Sequence, residues 1–293
     1  MQGSTRREVR PDVGSNLTQI KIPGEKSVNL YVDGEIKRED RIAVAVVGSR
    51  RITEYGRRVC RYMVEGLAAA GVTIVSGLMY GVDLEAHKVA LNAGGRTIAV
   101  LGYGFDYLKT VRYAKPVVES ILNDSKGAIV SEYTPDQVPT NWTFPARNRI
   151  VSALSKCVLV IEAAEDSGSI ITAAEAVKQN KEVFVVPGSI FDPTSKGKHE
   201  LIKDGLRLAD SPEDILNYLK VPAVKIKKAV DELKGHEKIV YDLIESDSSH
   251  SITFDEILFK SQSINFSELN VILTSLEIAG IIKKDLAGRF LIC

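Results

Sequence analysis

From Ile42 to about residue 220 the chain alternates between two hydrophobic periodicities. Short β-branched runs, "IAVAVVGSR", "VTIVSG", "RTIAVLGYG", "AIVSE", "CVLVIEA" and "EVFVVPG", mostly close on glycine or serine. Their near-continuous apolar character is that of strands buried on both faces. Between them, stretches such as "YGRRVCRYMVEGLAAAG" and "SGSIITAAEAVKQN" place apolar residues three and four apart and stop near glycine or asparagine, as crossover helices do. The alternation predicts an α/β fold with a doubly wound parallel sheet over residues 41–220. Ahead of it, "VNLYVDGEI", Val28 to Ile36, alternates and contains an Asp-Gly turn signal, which predicts an edge hairpin. Residues 1–27 show no usable pattern, so 1–40 reads as an N-terminal extension with that hairpin.

After Leu219 the text changes to "KVPAVKIKKAVDELKGHEK", lysine-rich and proline-containing without a strand signal, which makes 221–235 a linker. Residues 236–293 then offer helices at "HEKIVYDLIES", "TFDEILFKS" and "NFSELNVILTSLEIAG", closed by the hairpin-like "IIKKDLAGRFLIC". Three short helices and a small hairpin predict a winged-helix-like C-terminal domain.

Composition narrows the function classes. At 293 residues and 44% hydrophobic, the chain supports one large core and a smaller one. Lysine plus arginine and aspartate plus glutamate both total 38, so no global field draws the protein to a polyanion or an anionic membrane, and any anion site is a local patch. Cys60, Cys157 and Cys293 are far apart and never in a CxxC arrangement, which argues against a disulfide framework or zinc cluster and fits a reducing cytoplasm. No apolar run reaches the ~18 residues of a spanning helix, and the first 27 residues lack a signal-peptide core. The expectation is a soluble, cytoplasmic protein without membrane, metal or cofactor.

Ligands of open parallel sheets gather beyond the carboxyl ends of the strands, where backbone N–H groups and helix N-termini attract anions. Those ends are rich here: Gly48-Ser49-Arg50 after the first strand, Ser76-Gly77 with Gly81 following, Ser167-Gly168-Ser169 after Glu162, and Pro187-Gly188. Each turn alone is ordinary strand-to-helix chemistry; four on one edge point to an anion site. "GYGFDY" lacks a third glycine and no GxxxxGK(S/T) occurs, which argues against a standard dinucleotide or P-loop site. "TNWTFPARNRIVSAL" sets Arg147, Asn148 and Arg149 just inside a helix N-terminus, where cations are disfavoured unless an anion or carboxylate compensates. Either a bound anion or a surface pair with Glu132, Asp136 or Glu162 answers that, and the stacking faces of Trp142 and Phe144 favour the anion. His87, four residues after Asp83, has no nucleophile or metal-ligand partner in sequence and reads as a packed histidine. Glu132 and Glu162 end successive strands, the raw material of a paired-carboxylate hydrolase, but two acids do not establish that chemistry, and no catalytic residue is assigned.

Together, "VAVVGSR", "IVSGLMYGVDLEAHKVAL", "TIAVLGYGFD", "IVSEY", "FPARNRIVSALS", "VLVIEAAEDSGSIITAAEAV" and "VFVVPGS" resemble the DNA-processing protein A family, DprA/Smf, in the family's order over about residues 28–220. The resemblance implies an extended Rossmann-like domain that forms a homodimer, binds single-stranded DNA without sequence preference and helps load the RecA recombinase in natural transformation. It implies no enzymatic activity and no cofactor. "SLEIAGIIKKDLAGRFL" is similar to the closing helix and wing of the family's C-terminal module.

Carried over by position, the resemblance makes Arg50, Arg147 and Arg149 the phosphate pocket, with Ser76-Gly77 and Ser167 to Ser169 supplying donors. Gly48, Ser49, Gly81, Phe144, Asn148 and Gly188 complete the expected site. Ala146 stands where the family is often basic, and "RYAKP" where a Tyr-Pro followed by Asn is usual; Lys115 in that stretch is expected to add a charge. The N-terminal helical domain of many members has no counterpart in these residues. Two other readings compete. One is a nucleotide phosphoribohydrolase of the LOG type, although "EDSGSIITAAE" lacks that signature's second glycine; the other is a duplex-DNA regulator, which needs a more basic recognition helix than "NFSELNVILTSLEIAG".

Overall fold

A computed structural model describes residues 16–20, 27–123, 125–165, 167–221, 233–247, 252–285 and 288–292. The chain divides into two compact units, Met1–Lys220 and Val221–Cys293. In the first, the order is β1 (Asn16–Ile20), β2 (Val28–Gly34), β3 (Ala43–Val47), α1 (Glu54–Ala69), β4 (Thr73–Ser76), α2 (Val82–Asn92), β5 (Thr97–Leu101), α3 (Phe105–Leu108) and α4 (Lys115–Asn123). It continues with β6 (Gly127–Ser131), α5 (Thr143–Ala153), β7 (Cys157–Val160), α6 (Gly168–Lys178), β8 (Glu182–Val185), α7 (Lys196–Lys203), β9 (Arg207–Leu208) and α8 (Pro212–Leu219).

These strands form one nine-stranded sheet in the order β1-β2-β6-β5-β4-β3-β7-β8-β9. From β6 to β9 every pairing is parallel, and only β2 on β6 and β1 on β2 are antiparallel. Winding starts at β3 and runs outward in both directions, so the doubly wound reading holds. All five residues of β3 are buried. Ala43, Ala45 and Val47 pack with Ile150 and Val151 of α5 and Ala173 and Ala176 of α6. Right-handed crossovers put α1 and α2 on the opposite face, where they bury Met63, Val64, Leu67, Ala86 and Ala90.

The edge differs from its sequence pattern. Asp33-Gly34 ends β2 instead of turning a hairpin, and the hairpin partner is β1, upstream, where no periodicity marked a strand. β2 is then carried on β6 by antiparallel pairing from Tyr31↔Ser131 to Gly34↔Ala128. At the amino ends of the strands, Arg96 forks onto Asp40 through Nε and Nη2, both at 2.9 Å, and the Thr73 hydroxyl donates to the same carboxylate at 2.8 Å. Burial alone would raise the Asp40 pKa; Arg96, the Lys37 N–H and Thr73 more than offset it, and the carboxyl lies below its usual range.

The second unit holds α9 (Gly235–Glu245), α10 (Phe254–Ser261), α11 (Phe266–Ile278) and an antiparallel hairpin of β10 (Ile282–Lys284) and β11 (Phe290–Ile292). An Ile252↔Phe290 bridge joins the segment before α10 to the hairpin. Val240, Ile244, Ile257, Leu269, Leu273 and Phe290 form its core. The outward side of α11 exposes Phe266, Val271 and Ile278, and the helix contains no lysine or arginine. Of the expected linker 221–235, residues 222–232 lie outside the described residues. Among the described residues no helix is long and apolar enough to cross a membrane.

Candidate functional site

Because β3 pairs with β4 on one side and β7 on the other, the crevice above its carboxyl end is the switch point of the sheet. A cleft of about 780 Å³ opens there. Its first wall is the turn Gly48-Ser49-Arg50-Arg51, held at both ends. The Ser49 hydroxyl accepts from the Arg51 N–H at 3.0 Å and donates to the Arg51 carbonyl at 3.1 Å, while the Val82 N–H donates to the Ser49 carbonyl at 3.1 Å. Gly81 is required beside it: its φ is +80°, and a Cβ would run into the Ser49 and Arg50 carbonyls. Downstream, the buried Glu162 carboxylate accepts from the Thr53 N–H at 3.1 Å and from the Thr53 hydroxyl, and Thr53 in turn caps α1. Lys198, fully buried, has its pKa lowered by burial, an effect the Glu162 charge opposes.

The arginines separate into three situations. Arg50 is exposed, lies 5.5 Å over the Phe144 ring, and has no carboxylate within ion-pair distance among the described residues. Arg147 is buried in the cleft floor: Nη1 donates to the Gly77 carbonyl at 2.5 Å and to the Val100 carbonyl, and Nε donates to Asn148 Oδ1 at 3.2 Å. Gly77 makes room for it, since a Cβ there would overlap the guanidinium. Burial pulls the Arg147 pKa down and Asp83 opposes that; burial pushes the Asp83 carboxyl up and Arg147 opposes it in return. Arg149 stands outside the cleft lining and pairs with Glu132 at 2.5 Å, with 19% and 25% of the two side chains exposed. The cation-in-first-turn argument is thus met, for Arg149, by the carboxylate.

The second wall comes from α5 and α6. Phe144, on the rim, packs against Gly102 and edge-on to Tyr103 at 6.3 Å. Asn148 donates to the Gly168 carbonyl at 3.3 Å, tying α5 to the start of α6. Ser167 caps α6 by accepting from the Ser169 N–H at 3.3 Å, and Ser167, Gly168 and Ser169 all line the cleft. The α6 N-terminus brings about half a positive charge to it. Arg51, Asp83 and Lys196 also line it; sequence reasoning did not include them, although Arg51 adjoins Arg50 and Lys196 follows the last glycine-bearing turn.

Several expected residues are elsewhere. Ser76 is fully buried and its hydroxyl donates to the Val46 carbonyl at 2.6 Å, beneath the cleft. Gly188 sits against Ser195 and Lys198, off the lining. Lys115 is exposed on α4, faces Glu119 at 3.8 Å, and is not part of the lining. Glu132 and Glu162 do not meet: they follow β6 and β7, which β5, β4 and β3 separate. His87 is buried, its Nδ1 2.6 Å from the Thr97 hydroxyl. Burial, helped by Arg147, pushes its pKa down to about 3. Among the described residues no cluster of His, Cys, Asp or Glu could hold a metal.

A doubly wound sheet with a glycine-turned, helix-N-terminal cleft at its switch point, followed in the chain by a separate winged-helix-like unit, defines a Rossmann-type fold. Within that class the chain belongs to the DNA recombination-mediator protein A family, whose profile matches residues 11–220. It is 48% identical over 190 residues to Protein Smf of Escherichia coli K12, covering 65% of this chain and 50% of that protein. It is 43% identical over 173 residues to the DNA processing protein DprA of Streptococcus pneumoniae, covering 59% and 60%. The chain therefore spans about half to three fifths of the length of these relatives. The X-ray structure of the S. pneumoniae protein superposes with a TM-score of 0.59 at 40% identity, over 64% of this chain and 65% of that one. The Helicobacter pylori DNA processing protein A, solved for its single-stranded DNA binding mode, gives 0.59 at 31% identity over 69% and 95%.

Proposed function

We propose that the protein binds single-stranded DNA without sequence preference at the switch-point cleft and acts as a recombination mediator that helps load a RecA-type recombinase during DNA uptake. The observation that carries this reading is Arg50. It is an exposed guanidinium with no carboxylate partner among the described residues, set over an aromatic ring at the rim of a cleft with a helix N-terminus in its wall. Charge next to a stacking face is the combination that single strands exploit. The H. pylori relative, whose solved chain this one matches over 95% of its residues, supports the same ligand.

In this reading Arg50, Arg51 and Lys196 meet phosphate. Gly48, Ser49, Asn148 and Ser167 to Ser169 shape the cleft or offer donors. Arg147 and Arg149 act from behind, by holding the floor and α5. The protein works in the cytoplasm as a homodimer and is not an enzyme; two protomers would join two short tracks into one of higher avidity. Glu132 and Glu162, each bound to its own partner, give a hydrolase no carboxylate pair.

Fluorescence polarisation of a labelled oligothymidine, alongside a chromatographic assay of nucleoside monophosphates, tests this. Salt-dependent binding with no turnover is the expected result. Turnover without binding would favour the phosphoribohydrolase, and preference for one duplex sequence would favour the winged-helix regulator.

A further inference from the structure

Beside the Arg50 turn stands an aromatic platform to which neither the cleft nor the sequence motifs gave a role. Tyr80, in the turn between β4 and α2, stacks on Tyr113 with ring centroids 3.7 Å apart and planes 29° apart, yet Tyr80 remains 53% exposed. Its support is fixed: the Tyr113 hydroxyl donates to the Leu78 carbonyl at 3.4 Å and lies 3.8 Å from Met79 Sδ. Burial pushes the Tyr113 pKa up to about 12, and Arg50 is near enough to oppose that rise. The two turns are direct neighbours, joined by the Val82 N–H to Ser49 carbonyl bond and by the contact of Gly81 with the Arg50 backbone. Met79, one residue before Tyr80, lines the cleft.

A large apolar ring held in solvent by a second ring, next to an unpaired guanidinium, is costly to leave uncovered and inexpensive to use. Its position is already ordered, so a planar ligand docking on it loses little side-chain freedom. Any base has a π face, whereas a phosphate gains nothing from a neutral ring. We propose that Tyr80, backed by Tyr113, is a nucleobase-stacking subsite that holds a base of the strand whose phosphate sits on Arg50. This rests on the single-strand reading above.

The test compares oligothymidine with an abasic deoxyribose-phosphate strand of equal length, by polarisation at low salt, for the wild type, Tyr80→Ala and Tyr80→Phe. Tyr80→Ala is expected to weaken oligothymidine binding about fivefold or more, Tyr80→Phe to change it by less than about twofold, and the abasic strand to bind wild type and Tyr80→Ala alike. Should Tyr80→Ala fold poorly, Tyr80→Leu keeps Tyr113 covered without offering a ring face and must show the same selective loss. Unchanged oligothymidine affinity in these variants, or an equal loss for both strands, overturns the subsite while leaving the single-strand reading in place. Failure of the wild type to bind oligothymidine at all overturns both.

Discussion

Replacing Arg50 by alanine separates a ligand-binding arginine from a structural one. Arg50 has no ion pair to break among the described residues, and its guanidinium approaches the Phe144 ring at 5.5 Å. A cation–π contact at an exposed site is worth about 0.5–1 kcal/mol, so the melting temperature should fall by a few degrees at most. Binding should respond much more. A guanidinium forked onto phosphate makes charge-assisted hydrogen bonds worth roughly 1.5–3 kcal/mol, which is about a tenfold to hundredfold loss of affinity on truncation. Each phosphate neutralised on a single strand contributes about 0.7 to the log-log salt slope, so the slope should flatten by about that amount. Arg50→Lys should restore the slope, because the charge is back, but only part of the affinity, because a point charge does not reproduce the planar fork. Polarisation titrations of oligothymidine at four or five salt concentrations, with melts on the same samples, give all three quantities. An Arg50→Ala protein with unaltered affinity and slope, or one whose loss of binding is matched by a comparable loss of stability, would refute the assignment.

The other arginines should behave differently. Arg147→Met keeps volume but leaves the Gly77 and Val100 carbonyls without their donor and the Asp83 carboxyl without its nearby positive charge; urea denaturation should show a loss of about 3–5 kcal/mol, and a loss below about 1 kcal/mol would contradict a structural role. Arg149→Ala removes the pair with Glu132, part-exposed on both sides; stability should drop by about 1 kcal/mol, with oligothymidine affinity little altered in a protein that remains folded. His87 supplies a pH dependence. Its folded-state pKa of about 3 lies below the ordinary 6.5, so between these values the unfolded chain takes up a proton that the folded chain does not. Stability is therefore lost as pH falls through that window, by at most about 1.4 kcal/mol per unit. A His87→Gln protein should show a flatter stability profile from pH 6.5 to 4 than the wild type, and parallel profiles would rule the histidine out as the source.

Much of this protein follows from local pattern. β3 to β8 and their crossover helices could be read because a strand buried on both faces has to be apolar throughout, and a helix against a sheet has to repeat every three to four residues. The cleft's glycine turns were readable for a similar reason, since a positive φ at Gly81 or close packing at Gly77 admits little else. β1 escaped because an edge strand needs only one partner, and the Asp33-Gly34 signal misled because a turn dipeptide can equally end a strand.

The roles of Arg50, Arg147 and Arg149 were of a different kind. In sequence all three are arginines near strand ends or a helix start. What separates them is the neighbour each meets across the fold: the Gly77 and Val100 carbonyls for Arg147, Glu132 for Arg149, an aromatic ring and solvent for Arg50. Glu132 and Glu162 show the same limit, following consecutive strands in the chain that have three other strands between them in the sheet. Sequence determines which charges exist and which turns bend; desolvation and pairing depend on distances through space, so only the tertiary structure decided which of these charges is buried, which is paired and which faces solvent.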